Sequence, residues 1–262
     1  MARESVNQDL RDLAYEVLAR SSRDFLMQSG LSEGMHVLEV GCGAGAMTPW
    51  LAQTVGANGS VTALDVDPRA LEMTRARVRS LGSGNVEYVL KPVQEIASLR
   101  KSFDLIYCRF VLMQFQEPAE IVGRLVASLN TKGILALDEP DQEADLAMPP
   151  CPPCAAANRV FLDYAERAGM TVQIGKLLFP ILRQLGLEIV FAEVRQPIIS
   201  LRLGLQMFKH GLLDSAPSLV RAGVIDDHGL DELLESLEVW PSLPGDYYAL
   251  SRQFQVSGRL SS

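Results

Sequence analysis

The residues best suited to chemistry lie between positions 39 and 67: Glu39, then Gly41-Cys42-Gly43-Ala44-Gly45, then Asp65 and Asp67. Glycines lack a Cβ and let the backbone approach a ligand closely, and the helix that follows turns its positive end toward it. A carboxylate closing the next strand, about two dozen residues on, is placed to accept hydrogen bonds from a ribose diol. The set therefore suits an adenosine-containing ligand. Gly41, Gly43 and Ala46 also satisfy the GxGxxA pattern of nicotinamide dinucleotide sites, so the glycines alone leave the class of ligand open.

Three further groups carry reactive side chains. Asp138-Glu139-Pro140-Asp141 offers three carboxylates, suited to orienting a polar substrate or taking its proton, and equally to a solvated acidic loop. His210, in LQMFKHG, is a lone histidine. Cys151-Pro-Pro-Cys154 has the spacing of redox and zinc pairs. Zinc needs two further ligands, and His36, His210 and His228 are scattered, so no metal is expected. A proline-rich loop cap is the plainer reading of the pair.

Alternating strands and helices must position these residues. His36–Val40 reads as a short strand; Met47, Trp50, Leu51 and Val55 then fall at helical spacing, and Ser60–Leu64 is the next strand. Pro68 opens a helix that ends near Gly82–Gly84, and Asn85–Leu90 is a third strand. Phe103–Cys108 reads as a buried fourth strand, Glu117–Leu129 as a helix, and Gly133–Leu137 as strand five, after which 138–141 leaves the sheet. Ala155–Ala168 and Val172–Leu185 are expected helices, and Leu187–Arg195 and Gln253–Arg259 the last strands. Helical periodicity also marks Val6–Gln28, Leu201–Leu212 and Asp231–Leu237.

VLEVGCGAG, followed by VTALDVDP, FDLIYCRFVLMQF and GILALDEPD, resembles the class I S-adenosylmethionine-dependent methyltransferases, chiefly over the first half of the chain. The resemblance implies an α/β fold of Rossmann-like class I methyltransferase type: a seven-stranded, mostly parallel sheet with helices on both faces and a helical lid. It implies S-adenosyl-L-methionine as cofactor and S-adenosyl-L-homocysteine as product, held by Glu39, Gly41, Cys42, Gly43, Asp65, Val66, Pro92, Val93 and Arg109. The acidic residue that relatives use for the adenine amino group is replaced by Pro92, which leaves packing and the Val93 N–H, or Gln94 or Glu95 if the alignment is displaced. At Arg109 the implied contact is the backbone carbonyl, to the cofactor's ammonium. Gln114 stands where many relatives have histidine, and glutamine cannot act as a general base. Tyr15, Gln114, Met207 and Phe208 are expected to face the acceptor, with His210, Glu139 and Asp141 the candidates for acid–base work.

With 262 residues, one domain is expected: an N-terminal helical cap over 1–30, a cofactor core over 31–141, the second half of the sheet with its connecting helices over 142–198, a lid over 199–251 and the last strand over 252–262. A formal net charge of −8 disfavours a nucleic-acid surface, and no apolar run is long enough to span a membrane. The opening MARESVNQDL is polar where a secretion signal would be apolar, and four cysteines make no disulfide framework, so a cytoplasmic protein with reduced thiols is expected. The partner is a small, largely apolar methyl acceptor, and a homodimer is compatible with the sequence. The alternatives are an S-adenosylmethionine-binding protein with a non-methylating reaction and an NAD(P)-dependent oxidoreductase on the same loop; the latter calls for a Tyr-x-x-x-Lys or similar set after strand four, which this chain lacks.

Overall fold

A computed structural model describes residues 17–82, 84–144 and 146–260. These divide into two compact units, a sheet unit of 19–140, 173–195 and 253–260, and a helical unit built from 17–18, 141–172 and 196–252.

The sheet unit contains helix α1 (17–29), β1 (His36–Val40), α2 (Thr48–Val55), β2 (Ser60–Asp65), α3 (Pro68–Ser80), β3 (Val86–Leu90), β4 (Phe103–Arg109), α4 (Pro118–Val126) and β5 (Leu129–Asp141). The unit also holds α6 (Leu178–Gln184), β7 (Leu187–Arg195) and β10 (Arg252–Leu260). The seven strands run in the order β3-β2-β1-β4-β5-β10-β7. Pairings β1–β2, β1–β4, β2–β3 and β4–β5 are parallel, and β10–β7 is antiparallel. The order reverses between β1 and β4, the point at which open α/β sheets take their ligands.

Local chemistry explains the boundaries. Asp67 caps α3 by accepting from the Arg69 N–H at 2.9 Å, and Pro68 sits at its first turn, where a missing N–H costs nothing. Helix α1 closes where Gly30 adopts φ 102° and Leu31 N donates to Leu26 O at 3.0 Å. Phe25 and Leu26 of α1, Leu51 and Val55 of α2, and Val37, Val61, Leu105 and Tyr107 of the strands form one buried cluster. Each fully buried large side chain there contributes roughly 1.5 to 3 kcal/mol. Residues 19–29 are therefore part of the sheet's core rather than a separate cap; the rest of the expected cap, Tyr15 included, lies outside the described residues.

The helical unit holds β6 (Leu146–Met148), α5 (Pro152–Arg167), β8 (Ile198–Ser200), α7 (Leu201–Arg221), α8 (Asp227–Val239) and β9 (Tyr247–Ala249). Its strands form a three-stranded antiparallel sheet in the order β6-β9-β8. Ser200 caps α7 through Leu203 N, and Asp226 caps α8 through Gly229 N. Gly204 passes under Tyr248, where a Cβ would lie 2.9 Å from the Tyr248 Cβ.

Three expectations need correction. The span 142–198 does not belong with the sheet as a whole, because β6 pairs with β9 and α5 packs on α7 and α8. The expected lid over 199–251 shares its unit with 141–172. Asp138 to Asp141 does not leave the sheet: β5 continues through Asp141, and every residue from Gly133 to Asp141 is buried. Pro140 is tolerated there despite lacking a ladder donor.

Candidate functional site

The loop after β1 is folded by its own strands. Gly41 N and Cys42 N donate to Leu64 O at 2.8 and 3.2 Å, and Gly43 N donates to Asp65 Oδ2 at 2.8 Å. Three loop amides are thus occupied. The glycines supply room and backbone freedom at this loop. Gly41 adopts φ 69°, and a Cβ there would meet Val111 Cγ2 at 2.4 Å. Gly43 adopts φ 53°, and the space its Cβ would fill is open. The backbone there is one that only glycine adopts easily.

Asp65 ends β2 and also accepts from Val66 N at 2.8 Å and Asp67 N at 3.0 Å. Among the described residues Oδ2 carries a single donor, so this carboxylate retains acceptor capacity. Val66 is 67% exposed beside it. Pro92 and Val93 follow β3, Pro92 capping a 3₁₀ turn over Val93–Leu99. Val93 is buried, and as a first-turn residue its N–H has no acceptor within the turn.

Glu39 is buried on β1 and accepts from Thr48 Oγ1 of α2 at 2.5 Å. Burial raises its pKa to about 7, against the stabilising influence of Thr48 and the Arg109 charge. Cys42 is buried, and its thiol is pushed up to about 12 by burial and by Glu39, which makes it inert packing rather than a nucleophile.

Arg109 ends β4 in register with Asp138 of β5. Asp138 Oδ2 accepts from Ser22 Oγ at 2.6 Å, Gln255 Nε2 at 3.0 Å and Tyr107 OH at 3.4 Å. Ser22 also accepts from Arg109 Nη1 at 3.3 Å. Burial raises the pKa of Asp138, and the Arg109 charge opposes that rise. Among the described residues, Asp138 Oδ1 has no hydrogen-bond partner.

The candidate acid–base residues are placed otherwise than the sequence suggests. Glu139 Oε1 accepts from Val111 N at 3.0 Å and Leu112 N at 2.9 Å, so it fastens the turn after β4. Burial raises its pKa to about 8. Gln114 is exposed and donates to Phe110 O at 3.3 Å. Asp141, His210, Met207 and Phe208 all lie in the helical unit. Asp141 Oδ1 accepts from Glu143 N at 3.3 Å, and the Phe208 ring meets Tyr248 edge-on at 5.3 Å. Cys151 and Cys154, buried at the start of α5, face each other with Sγ atoms 3.0 Å apart. Among the described residues no cluster of His, Cys, Asp and Glu could hold a metal, and no helix is long and apolar enough to cross a membrane.

Sequence reasoning missed Ser22, Thr48 and Gln255, because a lone hydroxyl or amide carries no motif. A hollow of about 750 Å³ lined by Gly56, Gly82 and Asn85 lies at the amino ends of β2 and β3, opposite the ends that carry Asp65 and Leu90.

Comparison with known proteins agrees with this geometry. The methyltransferase-domain family matches residues 31–175. A ubiquinone/menaquinone biosynthesis C-methyltransferase of Pseudoalteromonas translucida is 29% identical over 125 residues, 46% of this chain and 50% of that protein. A ubiquinone biosynthesis O-methyltransferase of Bordetella avium is 33% identical over 107 residues, 40% of this chain and 42% of that one. The matches thus span about half the length of these curated relatives. The N-methyltransferase NodS of Bradyrhizobium japonicum, solved with S-adenosyl-L-homocysteine, shares the fold at TM-score 0.55 and 16% identity, covering 93% of this chain and 87% of that one. The nicotinamide reading of the loop falls with the family match. The family match over 31–175, on a sheet reversing between β1 and β4 with a glycine loop tied to Asp65, shows that this chain belongs to the methyltransferase-domain family, of the class I S-adenosylmethionine-dependent type.

Proposed function

We propose that the enzyme transfers the methyl group of S-adenosyl-L-methionine to an O, N or C atom of a small, largely apolar metabolite. The observation that carries this reading is the set of Glu39, Gly43 and Asp65: open space at Gly43, whose N–H is held by the Asp65 carboxylate, and a buried acid at Glu39 on the strand that leads into the loop. Asp65 suits the ribose diol, Val66 and Val93 the adenine, and Glu39 the cationic amino-acid end. When bound, the cofactor supplies an electrophilic methyl on a positively charged sulfur, which needs no metal to leave.

What the protein contributes is alignment and exclusion of water. Glu139 holds the Val111–Leu112 turn and Gln114 cannot take a proton, so no histidine mechanism is invoked. A small acceptor is supported by the net charge of −8 and by relatives named for quinone methylation. A cytoplasmic site of action remains part of the same proposal.

The test is to follow S-adenosyl-L-homocysteine formation with demethylmenaquinone-type quinones, polyprenyl phenols, trans-aconitate and bulk tRNA as acceptors. Turnover with the apolar ring compounds is expected. Turnover with tRNA alone, weakened by added salt, would overturn the acceptor class and leave the cofactor assignment standing.

A further inference from the structure

Arg109 is the residue whose backbone the family resemblance uses and whose side chain it leaves without a role. We propose that the Arg109 guanidinium grips the carboxylate at the amino-acid end of the cofactor, an inference that rests on the S-adenosylmethionine assignment.

Register places it there. Val40 pairs with Cys108 and Glu39 with Tyr107, so Arg109 stands one residue further along β4, across from Gly41 at the start of the loop. Side chains alternate along a strand, so Arg109 shares the face of Tyr107 and Glu39. Among the described residues one hydrogen bond is made by the guanidinium, Nη1 to Ser22 Oγ. Ser22 in turn donates to Asp138, which Gln255 and Tyr107 hold in place. One corner of the fork is therefore fixed, and the half-buried remainder keeps its other N–H donors for a ligand.

Charge and shape name that ligand. A guanidinium matches a carboxylate with two parallel hydrogen bonds, and an arm already anchored loses less freedom on binding. Glu39, an anion on the same face, matches the neighbouring ammonium, so the pair presents opposite charges to an amino-acid zwitterion. The groups facing Arg109 are Glu39, Asp138, Tyr107 and Ser22, with the Phe110 ring 6.0 Å away. None of these supplies the bidentate partner that the fork lacks.

Calorimetry on the full chain tests the assignment with three probes: S-adenosyl-L-homocysteine, its methyl ester, and 5′-methylthioadenosine, which has no amino-acid end. The unaltered protein should bind S-adenosyl-L-homocysteine at least about tenfold more tightly than the ester, as loss of a charge-assisted hydrogen bond predicts. Arg109→Gln should erase that difference and leave 5′-methylthioadenosine within about twofold, the margin of an untouched contact; Arg109→Lys should fall between. Equal affinity of the unaltered protein for acid and ester overturns the proposal without any variant having to fold. So does an Arg109→Gln protein that keeps the preference, or one that loses all three ligands alike. If the unaltered chain binds none of them, the cofactor assignment fails along with it.

Discussion

Gly43 donates its backbone N–H to the Asp65 carboxylate at 2.8 Å, which joins the loop after β1 to the end of β2. One carboxylate therefore shapes the loop and, as proposed, receives the ribose diol. Its two duties can be separated by substitution.

Asp65→Asn keeps an acceptor for Gly43 N and removes the charge; Asp65→Ala removes both. Hydrogen bonds to a charged group are worth about 1.5 to 3 kcal/mol, so Asp65→Ala should weaken S-adenosyl-L-homocysteine binding at least about tenfold. Asp65→Asn should lose less, and only Asp65→Ala should alter hydrogen exchange of the Gly41–Gly45 amides. Equal affinity of all three proteins in calorimetry would move the ribose contact elsewhere.

Cofactor affinity should rise with pH through neutrality. Burial raises Glu39 to about 7, so below that pH it is protonated and offers no charge to the ligand's ammonium. Titrations at pH 6 and pH 8 should show tighter binding at the higher pH by up to about tenfold, one pKa unit of coupling. Glu39→Gln should bind weakly and flatten the dependence. An unaltered profile in that variant would remove Glu39 from the site.

Glu139→Gln should retain most turnover, since Glu139 Oε1 already serves Val111 and Leu112. Its effect belongs to stability. Burial raises Glu139 from 4.5 to about 8, so between those values the folded chain keeps a proton that the unfolded chain has released. Stability from this group is therefore lost as pH climbs from about 4.5 to 8 and levels off above. Urea midpoints at pH 5, 7 and 9 should fall less steeply for Glu139→Gln. A collapse of turnover with unchanged midpoints would restore Glu139 as a catalytic candidate.

Gly41→Ala and Gly43→Ala should fail differently. At Gly41 the new methyl meets Val111 Cγ2 at 2.4 Å, so folding suffers first, by roughly 1 to 3 kcal/mol for overpacking. At Gly43 the methyl enters open space, so binding suffers more than folding. Thermal melts beside calorimetry separate the two; a Gly43→Ala protein that binds normally would show that the opening is not used.

Phe208→Ala measures whether the helical unit needs this ring for itself. Its edge-on contact with Tyr248 predicts a loss of roughly 3 to 5 kcal/mol if the ring behaves as core, less in proportion to its partial exposure. A stable variant with a raised acceptor KM would return Phe208 to the acceptor-facing role expected from sequence.

The sheet was legible because its signals are local: β-rich runs ending in glycine, Pro68 after a capping aspartate, and a spacing from Gly41 to Asp65 that only a strand–helix–strand unit satisfies. Leu187–Arg195 came out as expected to the residue. The same local signals put Glu39 on β1 and Asp65 at the end of β2, where the structure has them. What could not be read depends on distant partners. Ser22 and Asp138 are separated by 116 positions and Asp138 and Gln255 by 117, and no periodicity announces such pairs. The β6-β9-β8 sheet was missed because three-residue strands carry too little pattern. The continuation of β5 was missed because charged residues usually signal exit from a sheet, and here they are buried.

Strand β10 is late in sequence and interior in space, lying between β5 and β7. One of its faces, Gln253, Gln255 and Ser257, is polar yet buried, and Gln255 is the partner that Asp138 and Ser21 require. During synthesis, β5 and β7 are complete before their shared neighbour exists. The growing chain must therefore shelter two strand edges and a carboxylate lacking one of its donors until residues 252–260 emerge. Chains stopped before Arg252 are expected to need chaperones and to aggregate when released, and the same fragment staying soluble and monomeric on sizing columns would contradict this. The order of assembly is thus built into the sheet: the arginine arm on β4 acquires its full support, through Ser22, Asp138 and Gln255, only once β10 has been added.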